Sequence, residues 1–169
     1  MVTLYIAQSI DGFIAGPNQE LDWLPQGGPD CGYNEFIENI DLIVMGKNSY
    51  EVIEGFGEWP YAKQENWVFS KSLKEARNAK VKDKSLLYYF QELCDRKVWL
   101  LGGGAMIREF FEAGLIHEFR IFTIPIVLGD GVPLWPAKKF KKSPLVLQGV
   151  KDWGEGIVET IYKQPPMDA

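Results

Sequence analysis

Histidine occurs once in this 169-residue chain, at position 117, and cysteine only twice, at positions 31 and 94. A single histidine excludes a Cys/His metal cluster and any Ser-His-Asp triad that would rest on another. The two cysteines stand in neither a C-x-x-C nor a zinc spacing, which suits a reduced, cytoplasmic protein. Positive charge is also scarce. Lys and Arg number 18 against 23 Asp and Glu, a formal net charge of -5, and the basic residues are scattered except at Lys138, Lys139, Lys141 and Lys142. Nucleic acid is therefore excluded as a partner, and the lysine cluster, lying between Pro136 and Pro144, reads as a solvated loop. Long hydrophobic runs are missing too. The start MVTLYIAQS has no basic segment before it and gives way to Asp11-Gly12, so neither a signal peptide nor a membrane span is expected. His117, in AGLIHEF, reads as structural.

What is present suits one domain, residues 1–169. Hydrophobic residues make up 46% and aromatic residues 14%, with six Trp. That is enough for a substantial core and for ring surface to line a pocket that takes a flat heterocycle. Along the chain, Val2 to Gln8 reads as a buried first strand running into Ser9-Ile10-Asp11-Gly12. Residues 15 to 32, rich in Gly and Pro, form a long irregular segment of the kind that is often functional. Tyr33, Phe36, Ile37 and Ile40 have helical spacing, and Leu42 to Met45 is a short apolar strand ended by Gly46. Trp67 to Phe69 is a strand. Residues 84 to 94 read as a helix with Leu86, Leu87, Phe90 and Leu93 on one side. The strand Val98 to Leu101 leads through Gly102-Gly103-Gly104 into a helix from Ala105 to about Ala113, with Gly114 as its C-cap. Phe119 to Ile124 is a further strand, and Leu145 to Val150 with Ile157 to Tyr162 form a closing antiparallel pair. Strands alternating with helices predict a mostly parallel central sheet with helices on both faces and an antiparallel C-terminal hairpin.

Three strand ends carry the chemistry. Three glycines after a buried strand, opening a helix, let a diphosphate approach the backbone and meet helix N-terminal amides. The pattern is not G-x-G-x-x-G, and it lacks the lysine of a Walker loop. Met45-Gly46-Lys47-Asn48-Ser49-Tyr50 is a second strand-to-helix turn with a basic residue, on the sheet edge where such sheets place ligands. Ser70-Lys71-Ser72 closes a third strand.

Taken in order, these segments resemble the dihydrofolate-reductase-like superfamily, above all the reductase domain of bifunctional riboflavin biosynthesis proteins (the RibD C-terminal domain) and its stand-alone bacterial relatives. Ser9-Ile10-Asp11-Gly12-Phe13-Ile14-Ala15 resembles S-[IL]-D-G-x-[IL]-A, and Met45-Gly46-Lys47-x-Ser49-Tyr50-Glu51 resembles M-G-[RK]-x-[ST]-[YW]-E. Pro125-Ile126-Val127-Leu128-Gly129-Asp130-Gly131 resembles P-x-[VL]-L-G-x-G, and the glycine turn resembles the family's glycine pair. The resemblance implies a three-layer dihydrofolate-reductase-like fold, a non-proline cis peptide at Gly102-Gly103, and NADPH as cofactor. It implies Ala7 and Ile14 near the nicotinamide, and Gly46, Lys47, Asn48 and Ser49 at the phosphates. Gly102, Gly103, Gly104 and Ala105 share that role, with Leu101 and Met106 beside them, and Ser70 and Lys71 lie at the adenosine end. Hydride transfer would go to a pteridine or aminopyrimidine, as in 5-amino-6-(5-phosphoribosylamino)uracil reductase or dihydrofolate reductase. The alternative is a non-catalytic nucleotide- or pterin-binding module on the same fold. An acidic residue that holds the heterocycle would be Asp30, in a loop-like context, or Glu35, on the helix. Ile107, where folate reductases tend to carry Tyr, speaks against a folate reductase proper. The riboflavin-type relatives commonly pair, and Trp135 and Trp153 offer surface to cover, so a homodimer is expected.

Overall fold

The computed structural model describes residues 1–136 and 142–166, so Lys138, Lys139 and Lys141 lie outside the described residues. In chain order the elements are β1 (Val2–Ser9), β2 (Phe13–Ala15), α1 (Tyr33–Glu38), β3 (Leu42–Gly46), α2 (Lys47–Glu54), β4 (Glu65–Phe69) and β5 (Lys80–Lys82). A 3-10 turn (Leu86–Tyr89) then runs into α3 (Phe90–Cys94), followed by β6 (Val98–Gly102), α4 (Gly104–Glu112), β7 (Glu118–Ile124), β8 (Val132–Pro133), β9 (Val146–Asp152) and β10 (Val158–Lys163). None of the described helices is long and apolar enough to cross a membrane.

Eight strands form one sheet in the order β5-β4-β3-β6-β1-β7-β10-β9, and β2 pairs with β8 in a separate two-stranded ribbon. Strands β5 through β7 are mutually parallel, while β10 is antiparallel to both β7 and β9. This is the mixed sheet the sequence predicts, with the C-terminal hairpin at one edge. The apolar run of β3 follows from burial on both faces. Leu42 and Val44 join the core under α3 and α4, whereas Ile43 and Met45 join the core under α1 and α2.

Helix α4 ends as its glycine foretells. Gly114 has φ of +69°, its N–H donates to the Phe111 carbonyl at 3.0 Å, and the Leu115 N–H donates to the Phe110 carbonyl at 2.9 Å. These are the two bonds of a Schellman motif, and Leu115 and Phe110 are both buried in the same core.

The segment from 84 to 94 departs from the expected helix. It begins as a 3-10 turn with three residues per turn, which brings Leu86 and Tyr89 to one side. Tyr89 and Leu93 are buried with Leu86, while Leu87 (70% exposed) and Phe90 (44%) face outward. The short strands β2, β5 and β8 escape the sequence reading because two or three residues carry no measurable periodicity. His117 is structural, its Nδ1 accepting from the Val2 N–H at 3.1 Å.

Candidate functional site

The parallel strands β1, β3, β4 and β6 end on one edge of the sheet, and two cavities open there side by side. One, of about 850 Å³, is bordered by the start of α2 (residues 46–49), the end of β4 (Ser70 and Lys71) and the start of α4 (residues 103–106). The other, of about 770 Å³, is bordered by Ala7, Ile14, Leu101 and Gly102 together with several aromatic side chains. Gln19, Ser49, Gly103 and Val132 border both, so the two are halves of one cleft with a waist at Ser49 and Gly103. All the residues expected to contact cofactor thus lie along one continuous cleft.

At the waist, the Gly103 N–H donates to Ser49 Oγ at 2.9 Å, tying the start of α4 to α2. Neither helix has a side-chain N-cap, because the capping positions are Gly46 and Gly103. Their first-turn amides and positive dipole ends therefore face the first cavity without a competing side chain. A Cβ at Gly103 would find Ser49 Oγ at 3.6 Å and would project into the waist. A Cβ at Gly104 would lie 2.8 Å from the Pro133 carbonyl oxygen, so that glycine is required by close packing. The Gly102-Gly103 peptide is trans, which corrects the expected cis bond; the chain turns instead through Gly102 at φ +143°.

Charge separates the halves. The first cavity is bordered by Lys47, Lys71, Lys82 and Lys84 against Asp83 and Glu109. Lys47 reaches Ser72 Oγ at 3.5 Å, and Lys82 Nζ sits 3.8 Å from the centroid of the Trp67 ring. Ser70 Oγ accepts from the N–H groups of Ser72 (3.2 Å) and Leu73 (3.0 Å), so it shapes the turn that presents Lys71. Lys82 and Lys84 belong to none of the three strand-end motifs; their signal in the sequence is the alternation in Lys80-Val81-Lys82-Asp83-Lys84.

The second cavity is walled by Tyr5, Tyr61 and Trp99, with Phe56 at its rim. Tyr61 and Tyr5 stand edge-on to Trp99, at centroid separations of 5.4 and 6.2 Å. The Tyr5 hydroxyl donates to the Cys31 carbonyl at 2.9 Å. Burial pushes both Tyr5 and Tyr61 well above the usual phenol range, keeping them neutral hydrogen-bonding groups. Asp22 is the one fully charged side chain bordering this half among the described residues.

Neither expected acidic residue borders the cleft. Asp30 is exposed, and its carboxylate accepts from the Asn34 N–H at 3.3 Å, a turn role at the entry to α1. Glu35 borders a third cavity on the far side of the stacked Tyr5 and Phe36 rings, whose centroids are 4.3 Å apart. That cavity holds the Arg120–Glu159 ion pair at 2.5 Å, and Trp153 Nε1 donates to Glu159 at 2.9 Å. The carboxylate at the second cavity is Asp22, from the irregular segment that the sequence marks as functional in kind but not by residue.

Two sequence motifs meet at the cleft wall. Asp11 accepts from Ser9 Oγ (2.6 Å) and from the N–H groups of Leu128 (3.1 Å) and Gly129 (2.7 Å). The Ile10 N–H donates to the Ile126 carbonyl at 2.8 Å. This latch holds the β2–β8 ribbon, from which Ile14, Ala15 and Val132 face the cleft.

An eight-stranded, mostly parallel sheet with helices on both faces, a closing hairpin and a ligand cleft at its strand ends is a dihydrofolate-reductase-like α/β protein. The chain belongs to the RibD C-terminal domain family, whose model matches residues 1–159. It is similar to the uncharacterized protein YwjB of Bacillus subtilis (strain 168), with 31% identity over 91% of this chain and 92% of that protein. A solved structure from Shewanella sp. PV-4, provisionally assigned to riboflavin biosynthesis, superposes with a TM-score of 0.87 at 26% identity, covering 97% and 98% of the two chains. The diaminohydroxyphosphoribosylaminopyrimidine deaminase/5-amino-6-(5-phosphoribosylamino)uracil reductase of Thermotoga maritima shares the fold, with a TM-score of 0.72 at 13% identity. The match covers 98% of this chain and 56% of that one.

Proposed function

We propose that this protein is an NADPH-dependent reductase that passes a hydride to a small heterocyclic substrate of the pteridine or aminopyrimidine type. The observation that carries this reading is the divided cleft. A cationic half rimmed by two uncapped helix starts meets an apolar aromatic half at a waist narrow in side chains. NADPH fits the residues present: the glycine start of α4 leaves its approach open, the first turns of α2 and α4 offer amides to a diphosphate, and Lys47 and Lys71 suit a 2'-phosphate. When bound, the cofactor supplies the hydride. The chain's own part is to hold a flat ring between its aromatic walls, and to exclude water with the latched ribbon that carries Ile14 and Ala15. The free cysteines fit a reduced, cytoplasmic setting.

Thermal unfolding with NADPH, NADH and folates, followed by NADPH oxidation with candidate heterocycles, tests the reading. A nucleotide at a hundred times its Kd stabilises a protein by about 2.7 kcal/mol. A shift with NADPH and turnover of a heterocycle support it; a shift without turnover of any candidate favours a binding module.

A homodimer completes the proposal. Strand β9 is a sheet edge that exposes Val146 (44%), Leu147 (53%) and Val150 (62%), and Trp135 is 40% exposed. An apolar edge with unpaired backbone groups calls for a cover. Trp153 contributes less, since its ring already carries Lys151 Nζ at 3.5 Å. Light scattering should give twice the 19.2 kDa chain mass.

A further inference from the structure

The reductase in the Thermotoga maritima protein is named for a phosphoribosylated pyrimidine. A site for such a molecule needs a cation or a set of amides at the phosphate as well as a surface for the ring. In this cleft both of those provisions lie in one half. The four lysines and the two helix starts border the first cavity, and the second has no Lys, Arg or His among its described bordering residues. Its charged group is a carboxylate. Asp22 is exposed at the rim, with no hydrogen bond or ion pair of its own among the described residues, so its negative charge is free to act on whatever enters. Ser49 Oγ accepts the Gly103 N–H, and its hydroxyl brings no charge to the waist.

We infer that the second half of the cleft takes an uncharged, flat heteroaromatic bearing N–H groups, and rejects the same ring when it carries a phosphate. The inference rests on the proposal that the cationic half is occupied by the dinucleotide. With that half filled, a phosphate on the substrate meets no cation, only neutral side chains, mostly apolar, and the Asp22 carboxylate. Removing a doubly charged group from water against such walls is unfavourable, and a like charge at the rim adds repulsion. The ring itself is well served. Tyr61, Trp99 and the exposed Phe56 offer π surface, and Asp22 with Gln26 can accept from or donate to ring amides and amino groups.

The test uses matched pairs that differ only in the phosphate: 5-amino-6-(5-phosphoribosylamino)uracil against its dephosphorylated form, and riboflavin 5'-phosphate against riboflavin. Calorimetric titration gives Kd for each, with and without saturating NADPH. In the NADPH-bound protein the uncharged member of at least one pair should bind about ten-fold or more tightly than its phosphate ester. Asp22→Lys, at an exposed loop position, should cut that preference several-fold, and the change should shrink as salt rises. Equal or tighter binding of the phosphate esters to the NADPH-bound protein overturns the inference, as does failure of all four compounds to bind. If NADPH itself does not bind, the reductase reading falls. The pairs measured without it then judge the charge rule separately: a preference for the phosphate esters that survives Lys47→Glu with Lys71→Glu overturns it, and one that vanishes traces to the cationic half and supports it.

Discussion

The cationic half of the cleft is built from strand ends and helix starts, residues 46–49 and 103–106, whereas the apolar half takes its walls from side chains of β1, β6, α2, the loop after α2 and the loop between Ala15 and Tyr33. Backbone that is fixed by the sheet and by two helices offers the same amides to any ligand with a diphosphate. A wall of side chains on a long loop can be rebuilt without disturbing the sheet. One half is therefore suited to a common cofactor and the other to a changing substrate, and substitutions should affect the two halves independently except where they share residues.

The shared waist should give the largest effect. Gly103→Val places a branched side chain where both halves meet, and NADPH affinity should fall about a hundred-fold or more. The nearest atom to a Cβ at that position is Ser49 Oγ at 3.6 Å, so the fold should persist, with an unchanged far-ultraviolet circular dichroism spectrum. Gly104→Ala is the contrasting variant. Its Cβ would meet backbone oxygen at 2.8 Å, and the expected result is a loss of about 1–3 kcal/mol of stability, read as a lower Tm. Tight NADPH binding by Gly103→Val would remove the waist from the cofactor path.

Next in size is the cofactor half alone. Lys71 stands on a turn held by Ser70 and has no fixed partner among the described residues. A charge-assisted contact to a 2'-phosphate is worth about 1.5–3 kcal/mol, so Lys71→Glu should weaken NADPH by about ten- to a hundred-fold and NADH much less. Tryptophan fluorescence quenching gives both constants. Equal weakening would assign Lys71 to the diphosphate shared by the two cofactors.

The apolar half can be probed at Phe56, which is 62% exposed and so contributes little to the core. Phe56→Ala should raise KM for the heterocycle about two- to ten-fold, the worth of one aromatic contact, while Kd for NADPH and Tm stay unchanged. A shift in NADPH affinity would show that the halves are not separable at this wall.

The same division explains what could be read in the sequence. The cationic half was legible because a strand, a glycine and a helix follow one another within a few residues, as at 44–49 and 100–106, and local order suffices to place them. Of the apolar half the resemblance supplies Ala7, Ile14, Leu101 and Gly102 but not the aromatic walls, because Tyr5, Phe56, Tyr61 and Trp99 come together only through the fold and carry no spacing signal. The resemblance offers Asp30, or Glu35 on the helix, as the acidic residue, yet the path of the 16–32 segment turns Asp22 to the cleft. Asp30 is left at a turn, and Glu35 lies behind the Tyr5–Phe36 stack. Gly102 illustrates the limit of resemblance: the glycine turn is where the motif puts it, but its peptide bond is trans and Gly102 has a positive φ. The two motifs around Asp11 and Leu128 were visible separately, and only the fold shows that they bind each other.

That latch offers the smallest effect, and one that should touch both halves alike. The Ser9 hydroxyl first, then the Gly129 and Leu128 amides, hold the Asp11 carboxyl down to about 2, below the ordinary aspartate range. A carboxylate whose pKa is depressed in the folded state stabilises it above the unfolded value near 3.8, and the contribution is lost as pH falls toward the folded value. Between pH 5 and 8 the latch should thus be fully formed and insensitive to pH. Asp11→Asn keeps the shape but turns an NH2 group toward an N–H donor, so its Tm should lie a few degrees below the parent's throughout that range. Because Asp11 is exposed, the gap should stay modest. On acidification the parent loses what the variant never had, so the two melting curves should converge between about pH 4 and pH 2. Val132, on the ribbon, borders both halves, so at pH 7 the variant should weaken NADPH and heterocycle by similar small factors. A gap in Tm that persists unchanged at pH 2 would mean that Asp11 acts by packing and not by charge. A loss confined to one ligand would place the ribbon in that half alone.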